Sequence, residues 1–188
     1  MSKYKILALF GPSGSGKDTI AKYIVENYPS QTSTIISCTT RPKRDYEKNK
    51  IDYYFLTNEE FTSYVLNGEM LEATEFRHWF YGTPLWALST DVINVGVFNP
   101  AGIEILLEDP RIDLIPVEVL ASDKIRLMRS LNREKNPDCE EICRRFFTDK
   151  KDFNNILFES KKLNNENNIP TKEIEELIKG LAYCDQND

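Results

Sequence analysis

The chain of 188 residues is 40% hydrophobic and 29% charged, and its formal net charge is −6. The length suits one compact domain with a buried core, while the acidic balance argues against nucleic acid or an anionic membrane as the main partner. No apolar run approaches the length of a membrane span and no signal-peptide pattern opens the sequence, so we expect a cytoplasmic protein.

Cysteine and histidine are sparse. The four cysteines form no C-x-x-C pair and His78 is the single histidine, so the sequence has no zinc-ligand spacing. Cys139 and Cys143 lie one helical turn apart, and we expect them to be reduced thiols in or beside a helix.

A phosphate-binding loop is predicted near the N-terminus. An apolar run over Tyr4–Phe10 predicts a strand, helical periodicity over Lys17–Tyr28 predicts a helix, and the residues between them have the complete G-x-x-x-x-G-K spacing. Glycines let successive backbone N–H groups point at a polyphosphate, and the helix N-terminus and Lys17 add positive charge. An ordinary glycine-rich turn is the alternative. The predicted ATP phosphate-binding residues are Gly11, Ser13, Gly14, Ser15, Gly16, Lys17, Asp18 and Thr19.

One position of this loop departs from the usual pattern. Asp18 occupies the place that Ser or Thr normally holds, although Thr19 still offers a hydroxyl one residue later. Both side chains carry oxygen and are therefore the candidate metal ligands of the loop.

Strands and helices alternate along the rest of the chain. The further predicted strands are Thr34–Ser37, Val92–Phe98 and Ile112–Leu120, and the further predicted helices are Ala101–Glu108, Asp123–Asn132, Glu140–Asn155 and Thr171–Tyr183. This alternation is typical of a parallel sheet flanked by helices, that is, of an α/β fold. The polar segments Asn132–Asp138 and Lys161–Asn168 are predicted to be a mobile loop and a surface linker.

The pattern changes between Ser37 and Gly82. Strands are predicted at Ile51–Leu56, Glu69–Phe76 and Trp79–Tyr81, and Thr57-Asn58-Glu59-Glu60 is a capping box that opens a short helix. These elements predict a small mixed α+β insertion that lies over the phosphate loop.

Four motifs follow the loop in order. They are Ser37-Cys-Thr-Thr-Arg41-Pro-Lys-Arg44, Ile51-Asp-Tyr-Tyr-Phe55, Gly68-Glu-Met-Leu-Glu-Ala-Thr-Glu-Phe76 and Tyr81-Gly-Thr-Pro84. At these distances from a phosphate loop they closely resemble guanylate kinases, and the resemblance runs from about Tyr4 to Phe147. Several separate motifs must coincide, so this resemblance is more specific than the loop alone.

The resemblance implies a nucleoside monophosphate kinase with three parts. These are a P-loop core of three α/β/α layers (1–36 and 83–188), an NMP-binding insertion (about 37–82) and a lid (about 129–145). It implies transfer of the ATP γ-phosphate to GMP or dGMP with Mg²⁺, by a monomer or homodimer. A deoxynucleoside monophosphate kinase of wider base range and a non-catalytic guanylate-kinase-like binding module are the alternatives; the intact loop with Lys17 favours an enzyme over the module.

The acceptor motifs have suitable chemistry for a nucleotide. Arg41 and Arg44 offer forked donors to a phosphate, and the hydroxyls of Tyr53 and Tyr81 complete a cage, which the resemblance assigns to the acceptor phosphate. Glu72 can accept from both N1–H and the 2-amino group of guanine, whereas adenine presents an acceptor at N1. The resemblance adds Thr83 near guanine O6 and Ser37 at the opening of the same pocket. Taken singly, each of these residues also suits an ordinary surface or strand position.

Arginines surround the predicted lid loop. Arg133 and Arg145, with Arg144 as the alternative, best match the lid arginines of the family, which would neutralise charge on the transferred phosphoryl group. Arg126 and Arg129 share a helical face with acidic neighbours nearby and are predicted to be solvated.

Asn99 is a departure from the family pattern. The family carries an aspartate at the end of this strand, where it contacts the amino group of the acceptor guanine. The amide of Asn99 can still accept a hydrogen bond, but it brings no charge toward Mg²⁺. This difference leaves base selectivity and the choice between ribose and deoxyribose open.

Overall fold

The computed structural model describes residues 3–45, 47–76, 78–133, 135–153 and 156–183. In chain order, its strands are β1 (Tyr4–Phe10), β2 (Thr32–Thr34), β3 (Cys38–Thr39), β4 (Tyr54–Phe55), β5 (Met70–Phe76), β6 (Trp79–Pro84), β7 (Ile93–Val97), β8 (Ile112–Leu120) and β9 (Lys161–Asn164). Its helices are α1 (Lys17–Asn27), α2 (Asn58–Leu66), α3 (Pro100–Glu108), α4 (Asp123–Leu131), α5 (Cys139–Asp152) and α6 (Thr171–Tyr183), with a short 3-10 helix at Leu85–Ala87.

The central sheet is parallel. Within the described residues it contains five strands in the order β2-β7-β1-β8-β9. The middle strand, β1, is buried along Ile6–Phe10, and its side chains alternate between two core clusters. Leu7 and Leu9 pack with α1 and α6, whereas Ile6 and Phe10 pack on the side of α3. Helices therefore cover both faces of the sheet, which confirms the predicted α/β fold with three layers.

A second, mixed sheet lies between β2 and β7 in the sequence. Its order is β4-β3-β6-β5, with β3 parallel to β4 and the other pairs antiparallel. Helix α2 begins at the predicted capping box: Thr57 Oγ1 accepts the N–H of Glu60, and the Glu60 carboxylate accepts the N–H of Thr57. This capping box is therefore confirmed.

Neighbouring strands of the central sheet end at the same edge. β1 leads into the phosphate loop and β7, its parallel neighbour, leads through Phe98 to Asn99. The carboxyl edge of a parallel sheet is where α/β proteins bind ligands. No helix among the described residues is long and apolar enough to cross a membrane.

Several predicted elements need correction. The prediction of a surface linker over Lys161–Asn168 is wrong for the first half of the segment, because Lys161–Asn164 forms the edge strand β9. Only Leu163 in this strand is buried, so an edge strand of polar composition gives little signal. The strand predicted at Thr34–Ser37 ends instead at Thr34, and that predicted at Ile51–Leu56 shrinks to Tyr54–Phe55. Asn155, the predicted end of α5, lies outside the described residues.

Candidate active site

The phosphate loop adopts backbone conformations that require glycine. Gly11 has φ 140°, Gly14 has φ 79° and Gly16 has φ 95°. A Cβ atom at Gly14 would lie 2.5 Å from the carbonyl oxygen of Arg126, and one at Gly11 would lie 2.5 Å from that of Val119. The loop is therefore packed tightly between the end of β8 and the middle of α4, and only glycine fits at these positions.

Lys17 begins α1 and reaches back over the loop. Its Nζ donates to the carbonyl oxygen of Pro12 at 3.1 Å. Burial lowers the pKa of Lys17 below its ordinary value, and the charges of Asp18 and Asp149 partly oppose this. Asp18 and Thr19 are exposed in the same first turn, so their oxygens face solvent beside the lysine.

Side chains from distant segments support the loop from behind. The backbone N–H of Ser13 donates to Asp149 Oδ2 at 2.8 Å, and Arg126 Nε donates to the Ser13 carbonyl oxygen at 3.0 Å. Arg129 Nη1 donates to the Ser15 carbonyl oxygen at 3.3 Å, and Asn165 Nδ2 donates to the same oxygen at 2.8 Å. These contacts fix the curvature of the loop.

The prediction that Arg126 and Arg129 are solvated is wrong. Arg126 is only 5% exposed, and Arg129 contacts the loop and the end of β9. Sequence reasoning also missed Asp149, although Phe146 and Phe153 lie three residues before and four after it, which places the acid on an apolar helix face. For Asn165, no comparable sequence pattern indicated a contact with the loop.

A cavity of about 160 Å³ lies between the central sheet and the mixed sheet. Its lining includes several of the predicted acceptor residues, together with residues of β7 and α3. The lining residues are Ser37, Tyr53, Glu72, Phe76, Tyr81, Gly82, Val97, Phe98, Asn99 and Gly102.

Glu72 is the buried acid of this cavity. It is 6% exposed, and its Oε1 accepts a hydrogen bond from the hydroxyl of Thr83 at 2.9 Å. Burial raises the pKa of Glu72 to about 7, although the bonds from Thr83 partly oppose the shift. A carboxylate with this setting favours a ligand that brings N–H donors into the cavity.

Asn99 caps α3 at the cavity wall. Its Oδ1 accepts the N–H of Gly102 at 2.7 Å, and its Nδ2 donates to Thr74 Oγ1 at 2.7 Å. Both ends of the amide are therefore used. An aspartate would keep the helix cap but would lose the donor to Thr74.

The predicted arginines of the acceptor motif are ordered by an acid that sequence reasoning missed. Arg41 Nη1 and Nη2 donate to the two carboxylate oxygens of Glu47 at 2.9 and 2.8 Å, and the N–H of Arg44 donates to Glu47 at 2.8 Å. Burial would raise the pKa of Glu47, but the bonds from Arg41 and Arg44 hold it below its ordinary value. The Arg41 guanidinium lies 5.4 Å from the ring centroid of Tyr53.

The predicted lid arginines are on or beside α5. Arg144 Nε and Arg145 Nε donate to the Glu141 carboxylate at 2.6 and 2.5 Å, and these bonds hold the pKa of Glu141 at about 2. Arg133 is exposed after α4, and its charge contributes to the lowered pKa of Lys17. The structure therefore brings Arg133 toward the loop and holds Arg144 and Arg145 at Glu141.

Comparison with known proteins agrees with these motifs. Residues 3–93, which contain the phosphate loop and the mixed sheet, match the family model of guanylate kinase. The similarity of the chain to guanylate kinases lies in these residues. The guanylate kinase of Malacoplasma penetrans is 46% identical over 83 residues, which are 44% of this chain and 42% of that protein. The guanylate kinase of Enterococcus faecalis is 44% identical over 80 residues, which are 43% of this chain and 39% of that protein.

The similarity to these guanylate kinases is therefore confined to about two fifths of their length. The fold extends further: a crystal structure of guanylate kinase from Anaplasma phagocytophilum covers 100% of this chain, with a TM-score of 0.68 and 23% identity, and the match covers 89% of that chain. Residues beyond 93 thus share the fold of that structure.

Proposed function

We propose that this protein is a nucleoside monophosphate kinase that transfers the γ-phosphate of ATP to GMP or dGMP. The observation that carries the proposal is the buried Glu72, which accepts a hydrogen bond from Thr83 and lines the cavity between the two sheets. A buried carboxylate at this place selects a base with adjacent N–H donors, as guanine has, and leaves adenine with an unpaired acceptor.

The phosphate loop is the proposed ATP site. Its backbone N–H groups, the N-terminus of α1 and the Lys17 ammonium would bind the donor phosphates. A phosphate oxygen of the acceptor attacks the γ-phosphorus of ATP, and the bond from that phosphorus to the bridging oxygen of ADP breaks. Lys17 stabilises the negative charge that develops on the departing ADP.

Mg²⁺ is the proposed cofactor, with Asp18 and Thr19 as the residues that would hold it. Their exposed oxygens fit an ion that binds one or two protein groups together with substrate phosphates and water. Among the described residues, no cluster of three His, Cys, Asp or Glu forms a separate metal site. When bound, the ion would neutralise charge on the phosphates of ATP.

The acceptor phosphate is proposed to bind between Arg41, Arg44, Tyr53 and Tyr81. Among the described residues, Glu47 and the Pro42 carbonyl oxygen take three of the five N–H donors of Arg41. The remaining pair, on Nε and Nη2, forms a parallel fork that suits a phosphate. Ser37, Thr83 and Asn99 complete the proposed GMP site around Glu72.

The mixed sheet and the α4–α5 connection are proposed to be the moving parts. We assign the NMP-binding insertion to residues 37–82 and the lid to about 129–145. Closure of the lid would bring Arg133, Arg144 and Arg145 to the transferred phosphoryl group, and Arg144 and Arg145 must then exchange Glu141 for phosphate oxygens. The proposed assembly is a cytoplasmic monomer or homodimer, and the free thiols of Cys38, Cys139 and Cys143 suit a reducing compartment.

The test is an ADP-release assay with ATP, Mg²⁺ and each of the ribo- and deoxyribonucleoside monophosphates. We expect GMP or dGMP to give the highest kcat/KM. Comparable rates with several deoxynucleotides would favour a kinase of wider range. A folded protein that turns over no guanine nucleotide, yet binds GMP, would instead be a binding module.

A further inference from the structure

A buried ion pair binds one residue of the phosphate loop through both its N–H and its carbonyl oxygen. Asp149 Oδ2 accepts the N–H of Ser13 at 2.8 Å, and Arg126 Nε donates to the carbonyl oxygen of the same residue at 3.0 Å. The two side chains also contact each other, with Arg126 Nη2 at 3.3 Å from Asp149 Oδ2. We call this arrangement of Asp149, Arg126 and Ser13 the loop clasp.

The clasp is shielded from solvent. The side chains of Arg126 and Asp149 are 6% and 2% exposed, and the Arg126 guanidinium lies 4.9 Å from the ring centroid of Phe146. Breaking a buried pair by removing one partner leaves a charge uncompensated, so each partner holds the other in place. The backbone on both sides of Ser13 is therefore fixed by groups that cannot relax into water.

The clasp also joins the loop to the proposed lid. Arg126 belongs to α4 and Asp149 to α5, the two helices on either side of the lid connection, and α5 carries Arg144 and Arg145. The loop thus takes its position from the same helix that would deliver the lid arginines.

Two effects of Asp149 on ATP binding must be distinguished: repulsion of the phosphates and support of the shape of the loop. The charge of its partner Arg126 distinguishes them. A lone carboxylate near Lys17 would repel phosphate and compete for the Ser13 N–H. Here the carboxylate is neutralised by Arg126, and Ser13 is gripped through both its N–H and its carbonyl oxygen, so the pair acts on the shape of the loop.

We propose that Asp149 is a positioning residue for the donor site, which holds the phosphate loop in its binding shape through Ser13 and Arg126. This inference rests on the proposed function only in taking the loop as the donor site. It predicts that loss of the clasp weakens ATP and ADP binding and leaves the proposed acceptor site intact, because Glu72 lies on β5 of the mixed sheet and Arg41 lies in the turn after β3.

The test compares Asp149→Asn with Asp123→Asn. Asp123 is a second carboxylate partner of Arg126, at 3.1 Å, but it is half-exposed and makes no bond to Ser13 among those described. We expect Asp149→Asn to raise the KM for ATP and the calorimetric Kd for ADP about ten-fold or more, as misplaced binding groups do. The KM for GMP should stay constant, and Asp123→Asn should change every constant by less than about two-fold.

Each other outcome overturns the proposal. Tighter ADP binding by Asp149→Asn would make the carboxylate a competitor of phosphate, and a lower Tm with unchanged ligand constants would make it a packing residue. If Asp149→Asn does not fold, Arg126→Lys gives the same test, since lysine keeps the charge but loses the fork that reaches both Ser13 and Asp149. The ADP titration needs no turnover, so it stays informative if the parent fails to phosphorylate GMP.

Discussion

The phosphate loop and the cavity hold ionisable groups of opposite charge in different surroundings. In the loop, the Lys17 ammonium bonds to a backbone oxygen and lies near the charges of Asp18 and Asp149. In the cavity, the Glu72 carboxylate bonds to Thr83 alone among the described residues, and its pKa is raised to about 7. Nearby acids thus partly offset the effect of burial on Lys17, whereas among the described residues only the bonds from Thr83 do so for Glu72. Mutations and pH should therefore affect the two regions differently.

The largest effect is expected at the loop. Lys17→Ala removes the charge proposed to stabilise the departing ADP, so kcat should fall on the order of 100-fold or more while the KM for GMP changes little. Lys22→Ala is the matched control, because Lys22 is an exposed lysine on the same helix. Near-normal turnover by Lys17→Ala would show that the loop is not the donor site.

A smaller effect is expected in the cavity. Glu72→Gln replaces a charged acceptor with an amide, so the ratio of kcat/KM for GMP over AMP should fall by the equivalent of about 1.5–3 kcal/mol. Glu75→Gln, an exposed acid on the same strand, should leave the ratio unchanged. Equal ratios for Glu72→Gln and the parent would place Glu72 outside the base site.

The raised pKa of Glu72 predicts a pH dependence that the loop does not share. The bound base needs the carboxylate, so the Kd for GMP should fall about ten-fold as pH rises from 6 to 8 through the pKa of about 7. Glu72→Gln should lack this change but keep the titration of the GMP phosphate, which makes the ratio of the two Kd values the quantity to plot. A flat ratio would contradict an ionisation at Glu72.

The same shift has a consequence for stability. Since the folded state raises the pKa of Glu72 above its ordinary value, folding favours the protonated acid. The parent should therefore lose free energy of unfolding relative to Glu72→Gln as pH rises from about 4.5 to about 7. Denaturant titrations of both proteins at several pH values measure this difference.

The smallest effect is expected at Asn99. Asn99→Asp keeps the cap on α3 but places a second carboxylate near Glu72, since a Cβ at Gly102 would lie 3.2 Å from Glu72 Oε2 and 3.4 Å from Asn99 Oδ1. Like charges raise a carboxyl pKa, so the GMP pH profile should move upward, with little change at pH 8 or above. A profile that moves downward would mean that the new acid does not interact with Glu72.

Features that depend on a few consecutive residues could be predicted from the sequence. The phosphate loop occupies one short segment and the capping box at Thr57 occupies four residues, so both could be identified from spacing alone. The cage predicted from Arg41, Arg44, Tyr53 and Tyr81 could be inferred only from several motifs together. The resemblance to guanylate kinases indicated that these motifs bind one acceptor phosphate.

The sequence could not reveal contacts between distant segments. Asp149 meets Ser13 across 136 positions, and Asn165 meets Ser15 across 150 positions. Strand β9 was missed because an edge strand with one buried side chain has the composition of a loop. Glu47 was missed because an acid six residues from Arg41 is indistinguishable from a solvated charge until the turn is folded.

The Arg41–Glu47 pair has a thermodynamic consequence for ligand capture. A free arginine side chain loses about 1.5–2 kcal/mol of rotamer entropy when it is immobilised. Glu47 and the face of Tyr53 already restrict the Arg41 guanidinium in the folded protein. That entropy is lost during folding rather than at the moment of binding, so a phosphate bound at the proposed site would meet a rigid receptor and would keep more of its interaction energy as affinity.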